Sequence, residues 1–326
     1  MSEAEGIDYQ RWMVLSGGAA AIGAAQQTGL LAAVLDGGGS ARALAERLKL
    51  DARASACVLD ALVALELLRV ADGVYAAQPW LGAVLQSIPG GAAHDSRLWN
   101  HAPDFLRTGA PLLHMDGSND ARENAYRLVT QALGRMFAGA ARELAARIPG
   151  TPAQILDVGC GSGVWSLQLA ARFSAATVTG QDLPKVLEES FLPRAAAEGL
   201  SERVRTLPGD MQTVALPAAQ YDLIVVANVL RLEPAERAAR LIARLVPALA
   251  PGGALLIIDA IAGGTPERER ARALYALHLA IRSTEGSVHL PATLSGWLAA
   301  AGLSDVRAIE LPDWAAPTGA LLARRA

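Results

Sequence analysis

Asp157, Asp182, Asp210 and Asn228 each follow or close a short apolar run, and Gly159, Gly161 and Gly163 come directly after the first. Carboxylates and an amide in such positions accept from, or donate to, the ammonium, hydroxyl and amino groups of a polar ligand. Glycines let that ligand approach bare backbone. The spacing is Gly-x-Gly-x-Gly with Asp157 two residues ahead of it. The dinucleotide form is Gly-x-Gly-x-x-Gly, and here Val164 fills the place of its last glycine. An NAD site would need that glycine elsewhere.

These side chains need a frame that gathers strand ends. Residues 155–158, 176–181, 203–207, 222–227 and 254–260 read as strands, with helices near 163–173, 185–198 and 234–249 between them. The runs Leu223-Ile224-Val225-Val226 and Leu255-Leu256-Ile257-Ile258 suit a sheet buried on both faces. Such alternation predicts an α/β, doubly wound and mostly parallel sheet, with ligands at the carboxyl ends of its strands. Two further strands, 305–311 and 319–324, are set to pair as an edge hairpin and complete a seven-stranded sheet. A long helix over 122–147 precedes the first strand, with Leu133, Met136, Phe137 and Leu144 along one side.

The N-terminal part has a different pattern. Residues 9–35 hold helical apolar spacing, and Gly17, Gly18, Gly23 and Ala24 would let another helix come close. Ser40 and Asp51 are placed to cap helices over 41–48 and 51–67. Residues 68–70 and 74–76 flank Asp72-Gly73 as a tight hairpin. Helix, helix, hairpin is a winged-helix order. The candidate recognition helix carries Arg53 as its one base against Asp51, Asp60 and Glu66, which argues for a dimerisation module over a DNA reader. Residues 95–120, with Trp99, His101, Phe105, His114 and Met115, read equally as a connection or a substrate lid.

The chain has 326 residues, a net charge of −3 and 52% hydrophobic content, enough for about two globular domains. That charge gives no electrostatic reason for a nucleic-acid partner. Cys57 and Cys160 are too few for a disulfide framework and suit a reducing compartment. The acidic start lacks the basic region of a secretory signal, and the apolar 17–25 run is too short to span a bilayer. We read a cytoplasmic protein with no membrane partner. Its histidines, 94, 101, 114, 278 and 289, show no i,i+4 pair, and no metal site is expected.

Leu156-Asp157-Val158-Gly159-Cys160-Gly161-Ser162-Gly163, Gln181-Asp182-Leu183-Pro184, Gly209-Asp210-Met211, Asn228-Val229-Leu230 and Pro251-Gly252-Gly253 occur in that order. Over nearly the whole chain they resemble class I S-adenosylmethionine (SAM)-dependent small-molecule O-methyltransferases with an N-terminal winged-helix dimerisation domain. This is the type found among plant phenylpropanoid and bacterial natural-product enzymes. The resemblance implies a dimerisation domain with its connecting segment over 1–115, and a SAM-binding catalytic domain over 116–326. It also implies a homodimer, a small-molecule acceptor, and S-adenosyl-L-homocysteine as product. Asp157 would meet the ammonium beside Gly159, Gly161 and Gly163, and Asp182 with Leu183 the ribose. Asp210 would meet the adenine amino group while Met211 packs on the ring, and Asn228 the methionyl part. Trp99, Phe105, Tyr126, Gln131, Met136, Glu285 and His289 would shape the acceptor pocket.

One position departs from the resemblance. The family's histidine base follows the fourth strand, in a pattern like Asn-Val-Leu-His-Asp-Trp; here the place reads Asn228-Val229-Leu230-Arg231-Leu232-Glu233. A guanidinium stays protonated and has no acceptor site, so Arg231 is no general base. Arg231 could instead hold an anionic acceptor or lower the pKa of an acidic hydroxyl. His278, on a helix over 266–283, could supply the base or serve as a hydrogen-bonded core histidine. C- or N-methylation stays open, because an activated carbon or amine needs no histidine. So does a SAM-binding catalyst that transfers no methyl group, a hydroxylase or pericyclic type. Glu233 reads as a helix-start residue before Pro234.

Overall fold

A computed structural model describes residues 3–87, 97–261 and 263–326, and divides the chain into units Met1–Asn100 and His101–Ala326. His94 and residues 95 and 96 lie outside the described residues. In the first unit, the 9–35 pattern is two helices, α1 (Glu3–Gln27) and α2 (Leu30–Leu35). They break at Gly29, whose φ of +77° lies in the left-handed region that glycine enters freely. Ser40 and Asp51 cap α3 (Ala41–Leu48) and α4 (Ala52–Ala64) by accepting from Ala43 N at 3.2 Å and Ala54 N at 2.7 Å. The strands are β1 (Gly39–Ser40), β2 (Leu68–Ala71) and β3 (Val74–Ala77), in spatial order β1-β3-β2. Leu30, Leu31, Leu44, Leu59, Leu62, Leu68 and Tyr75 form this unit's core. Gly18 meets Leu65 of the same chain, where an added Cβ would stand 3.2 Å from its side chain. Short helices α5 (Leu81–Ser87) and, in the second unit, α6 (Ala102–Thr108) follow.

The second unit carries the sheet. Its strands are β4 (Gln154–Val158), β5 (Thr177–Asp182), β6 (Val204–Pro208), β7 (Tyr221–Ala227), β8 (Leu249–Asp259), β9 (Leu303–Ile309) and β10 (Gly319–Arg325). They lie in the order β6-β5-β4-β7-β8-β10-β9, parallel through the first five and antiparallel on both sides of β10. The strand order reverses at β4, so the crevice beyond its carboxyl end is where this architecture takes ligands. β8 begins earlier than the sequence suggests, because Leu249 pairs with Tyr221 across a register shift. In the terminal hairpin β10 joins β8, leaving β9 at the edge.

The continuous apolar strands are explained by what covers them. Val225, Leu223 and Ile155 face a cluster with Ala141, Leu144, Trp165, Leu167 and Phe191. Those residues come from α7 (Asn119–Arg147), α8 (Val164–Arg172) and α9. The last starts as Pro184–Val186, continues through a π-helical turn Leu187–Phe191 and ends as Leu192–Ala197. Ile224, Val226, Leu156 and Val158 face the other cluster, with Leu241, Ile242, Leu245, Leu294 and Leu298 of α10 (Ala235–Leu245) and α12 (Pro291–Ala300). Between those two runs α11 (Pro266–Arg282), capped by Thr265. Among the described residues, no helix is long and apolar enough to cross a membrane.

Candidate active site

The glycine turn leaves β4 with Gly159, Gly161 and Gly163 at φ of +64°, +54° and +69°. A Cβ on Gly159 would stand 2.7 Å from Val229, and one on Gly163 2.7 Å from the Phe191 ring. The turn is therefore pressed between the exit of β7 and α9. Gly161 N donates to Asp182 Oδ2 at 2.7 Å, and Cys160 N to the Gln181 carbonyl at 3.0 Å, tying the turn to the end of β5. Gln181 extends the link, since its side-chain NH2 donates to the Gly209 carbonyl at 2.6 Å. Gly163→Ala combines left-handed strain with the Phe191 clash and should cost about 2–4 kcal/mol. Urea unfolding of the ligand-free protein reads this directly; a loss under about 1 kcal/mol would show that Phe191 yields.

Asp157 sits at this turn, only 1% exposed. Its Oδ2 accepts from Ser166 Oγ at 2.6 Å, while Oδ1 is buried without a hydrogen-bond partner. Burial pushes Asp157 up to about 7; the Ser166 hydroxyl opposes the rise and the charge of Asp182 adds to it. Burial also raises Asp182 to about 6, against the N–H groups of Gly161 and Leu183, which donate to its two oxygens. A buried acceptor with no partner beside bare backbone fits a ligand bearing an ammonium group, as SAM does.

Asp210 lies after β6. Partial burial works to raise it, but the Gln212 N–H and the Asn119 amide, at 2.8 and 3.1 Å, hold its carboxyl below the usual range. Met211 follows it, half-buried against the second cluster. Asn228 takes a left-handed φ of +61°, and its amide oxygen accepts from Arg231 Nη1 at 2.7 Å. Its NH2 group and the second lone pair of Oδ1 are left to meet the methionyl part expected there.

Arg231 is 8% exposed, and Nη1 also reaches Asp259 Oδ1 at 3.3 Å. Its guanidinium carbon lies 4.9 Å from the centroid of the Tyr275 ring. Burial works against the charge, yet Tyr275 and Asp259 keep its pKa above the ordinary arginine value. Asp259 ends β8 and Arg231 lies in the short turn after β7, two residues beyond Val229, which packs on Gly159. Asp259 obeys the strand-end rule that singled out the other carboxylates, so the sequence did carry its signal.

Glu233 is more than a helix-start residue. It is fully buried, accepts from Arg122 Nη1 at 2.6 Å, and pairs with Arg237 Nε at 2.9 Å. Arg122 also donates to the carbonyls of Gly117 and Asp116 at 3.0 and 3.2 Å. Asp116 in turn accepts from the N–H groups of Thr284, Glu285 and Gly286, which hold its carboxyl low although burial opposes them. Ser287 N donates to the Arg231 carbonyl at 2.8 Å. Residues 112–117 are thus strapped to 281–287, and that stretch to Arg231.

The other expected pocket residues divide. Tyr126, on α7, feels the charges of Arg282, Arg231 and Arg122, yet burial lifts its phenol to about 12. His278 is half-buried, its ring 6.3 Å from that of Tyr275. His289 is buried edge-on to Trp297, and its Nε2 donates to the Leu230 carbonyl at 3.0 Å, so it braces the Arg231 turn. Glu285 is exposed. Gln131 is exposed too, and its NH2 donates to the Glu189 carbonyl on α9 at 2.8 Å. Met136 is half-exposed, about 15 Å along α7 from Tyr126. Phe105 is half-buried on α6, and Trp99 belongs to the first unit. Among the described residues, no cluster of three or more His, Cys, Asp or Glu side chains could hold a metal ion.

Comparison with known proteins gives a consistent result. The description of an O-methyltransferase domain matches residues 123–304. The tetracenomycin polyketide synthesis 8-O-methyl transferase of Streptomyces glaucescens is 30% identical, over 83% of this chain and 84% of its own. The 3-hydroxy-5-methyl-1-naphthoate 3-O-methyltransferase of Streptomyces sahachiroi is 28% identical, over 88% and 86%. The solved structure of human N-acetylserotonin methyltransferase with SAM shares the fold, with a TM-score of 0.75 at 21% identity over 100% of this chain and 99% of its own.

Proposed function

The chain belongs to the O-methyltransferase family that this domain defines, and from that premise we propose that it methylates an acidic hydroxyl held as an oxyanion by Arg231. It is a SAM-dependent methyltransferase of small-molecule acceptors. When bound, SAM supplies an electrophilic methyl group on a sulfonium. Asp157 and Asp182 would hold its ammonium and ribose, with Asp210 and Met211 at the adenine. The remaining work falls to Arg231.

One observation carries the reading: a buried guanidinium, paired to Asp259, stands at the strand end where the family has its base. Arg231 takes no proton, but its fixed positive charge favours the oxyanion over the hydroxyl. Transfer then rests on orientation and on the acceptor's own acidity. Relatives named for a polyketide and a hydroxynaphthoate agree with an aromatic hydroxyl as acceptor. The first unit reads as the dimerisation module of a cytoplasmic homodimer with no nucleic-acid or membrane partner, a reading that sedimentation velocity and a low-salt gel shift test.

Calorimetric titration with SAM, followed by assay of S-adenosylhomocysteine release over a panel of phenols, tests the function. Arg231→Met should lower kcat/KM by about 100-fold and move the rate–pH profile to higher pH, while Arg231→Lys keeps more of the rate. An unchanged pH profile in Arg231→Met would sink the oxyanion role.

A further inference from the structure

Arg282, the last residue of α11, is a second guanidinium on the same Tyr275 ring. Its Cζ lies 5.3 Å from the ring centroid, and Nη2 donates to the Tyr275 hydroxyl at 2.5 Å. Nε of Arg282 and Nε of Arg231 are both buried without a hydrogen-bond partner. Among the described residues, Arg231 has one ion-pair partner, Asp259, and Arg282 has none. Tyr126 feels both charges and stays a neutral phenol, since burial holds its pKa at about 12. Tyr275 is committed as acceptor to Arg282.

The count is two guanidinium groups to one carboxylate around a single ring. Arg282 is half-buried with its Nε shut off from water, and a charge so placed without a carboxylate is costly, so an anion would complete the cluster. The excess is a single positive charge, which the carboxylate of an acceptor with its hydroxyl still protonated would balance; the sulfonium of bound SAM would supply the second charge once that hydroxyl ionises. A guanidinium offers several donors in one plane, the arrangement that carboxylates take up best.

Resting on the methyl-transfer reading above, we infer that the acceptor is a hydroxyarene bearing a carboxylate, whose hydroxyl faces Arg231 and whose carboxylate is held by Arg282. Arg282 then acts on acceptor choice rather than on the reacting oxygen. The strap through Asp116 fixes the stretch just after it, and Met115 N donates to the Arg282 carbonyl at 3.1 Å. The guanidinium is thereby presented from a backbone pinned on two sides.

The test uses the full-length protein loaded with S-adenosylhomocysteine and calorimetric binding of salicylate, two hydroxynaphthoates, their primary amides and 2-naphthol. At least one acid should bind about 10- to 100-fold more tightly than its amide. Arg282→Gln should abolish that preference while leaving amide binding and S-adenosylhomocysteine binding within about threefold, and Arg282→Lys should restore part of it. Equal binding of every acid and its amide, no binding by any acid, or a preference that survives Arg282→Gln overturns the assignment. Rates with SAM separate the two readings. A neutral naphthol methylated as fast as the acids defeats the carboxylate site and leaves methyl transfer standing. Selective acid binding with no S-adenosylhomocysteine released by any acceptor defeats methyl transfer and leaves the site standing.

Discussion

Asp157→Asn is expected to weaken SAM binding by about 100-fold or more, while the ligand-free protein stays as stable or becomes more so. The carboxylate is buried, one of its oxygens has no partner, and burial has raised it to about 7. Removing one member of a buried charged hydrogen-bonded pair costs about 2–5 kcal/mol of binding, which sets the magnitude. The isosteric amide removes the buried charge that the empty site carries, so stability moves the other way. The pH dependence follows in sign. Asp157 and Asp182 have folded pKa values of about 7 and about 6, above the ordinary 3.8. Their contribution to stability is full below about pH 4 and is lost as pH rises through 6 and 7, because the unfolded chain gives up its protons first. SAM needs the carboxylate, so its stabilising effect grows over the same window and binding near pH 6 releases a proton. Thermal scans with and without SAM from pH 5 to 8 would show the wild-type gap widening more than the variant's, in which Asp182 alone still titrates over that window. Affinity within about threefold of wild type would refute the ammonium role.

Glu233→Gln should lower stability by about 3–5 kcal/mol, the usual cost of breaking a buried ion pair from one side. The burden falls on Arg122, whose side chain is 13% exposed; Arg237 is 42% exposed and counts for little. In a unit of this size the melting temperature should drop by about 10 °C. The same change frees Arg122, which holds the carbonyls of Asp116 and Gly117, so the KM for acceptor should rise more than that for SAM. Arg237→Gln is the control, with a loss below about 1 kcal/mol. Equal melting temperatures for the two variants would mean that the buried pair carries no special weight.

The sheet was legible because its strands are uninterrupted apolar runs and its ligand groups sit where those runs stop. Asp157, Asp182 and Asp210 follow from that one rule, and Asp259 obeys it as well. The long 9–35 segment misled because periodicity continues through Thr28 and Gly29, while only the left-handed φ of Gly29 reveals the break. Glu233 was hidden for another reason. Its partner Arg122 lies 111 residues away, and nothing in local spacing points across that distance. His289 carried a chemically suggestive side chain, but its work is to hold the Leu230 carbonyl. Tyr275 and Arg282 share a helix face at i,i+7, yet two residues on one face say nothing of a third that joins them from the turn after β7.

Phe191 adds a point about the order in which this sequence can change. A Cβ on Gly163 would meet its ring at 2.7 Å, and so would a Cβ on Gly180 of β5. One aromatic ring therefore forbids a side chain at two positions far apart in the chain. The three residues are an epistatic set: Gly180→Ala is harmful while the phenylalanine stands and becomes tolerable once Phe191→Leu has made room. Mutational paths through this sheet must shrink the ring before they fill Gly180, whereas Gly163 is held to glycine by its left-handed φ as well as by the ring.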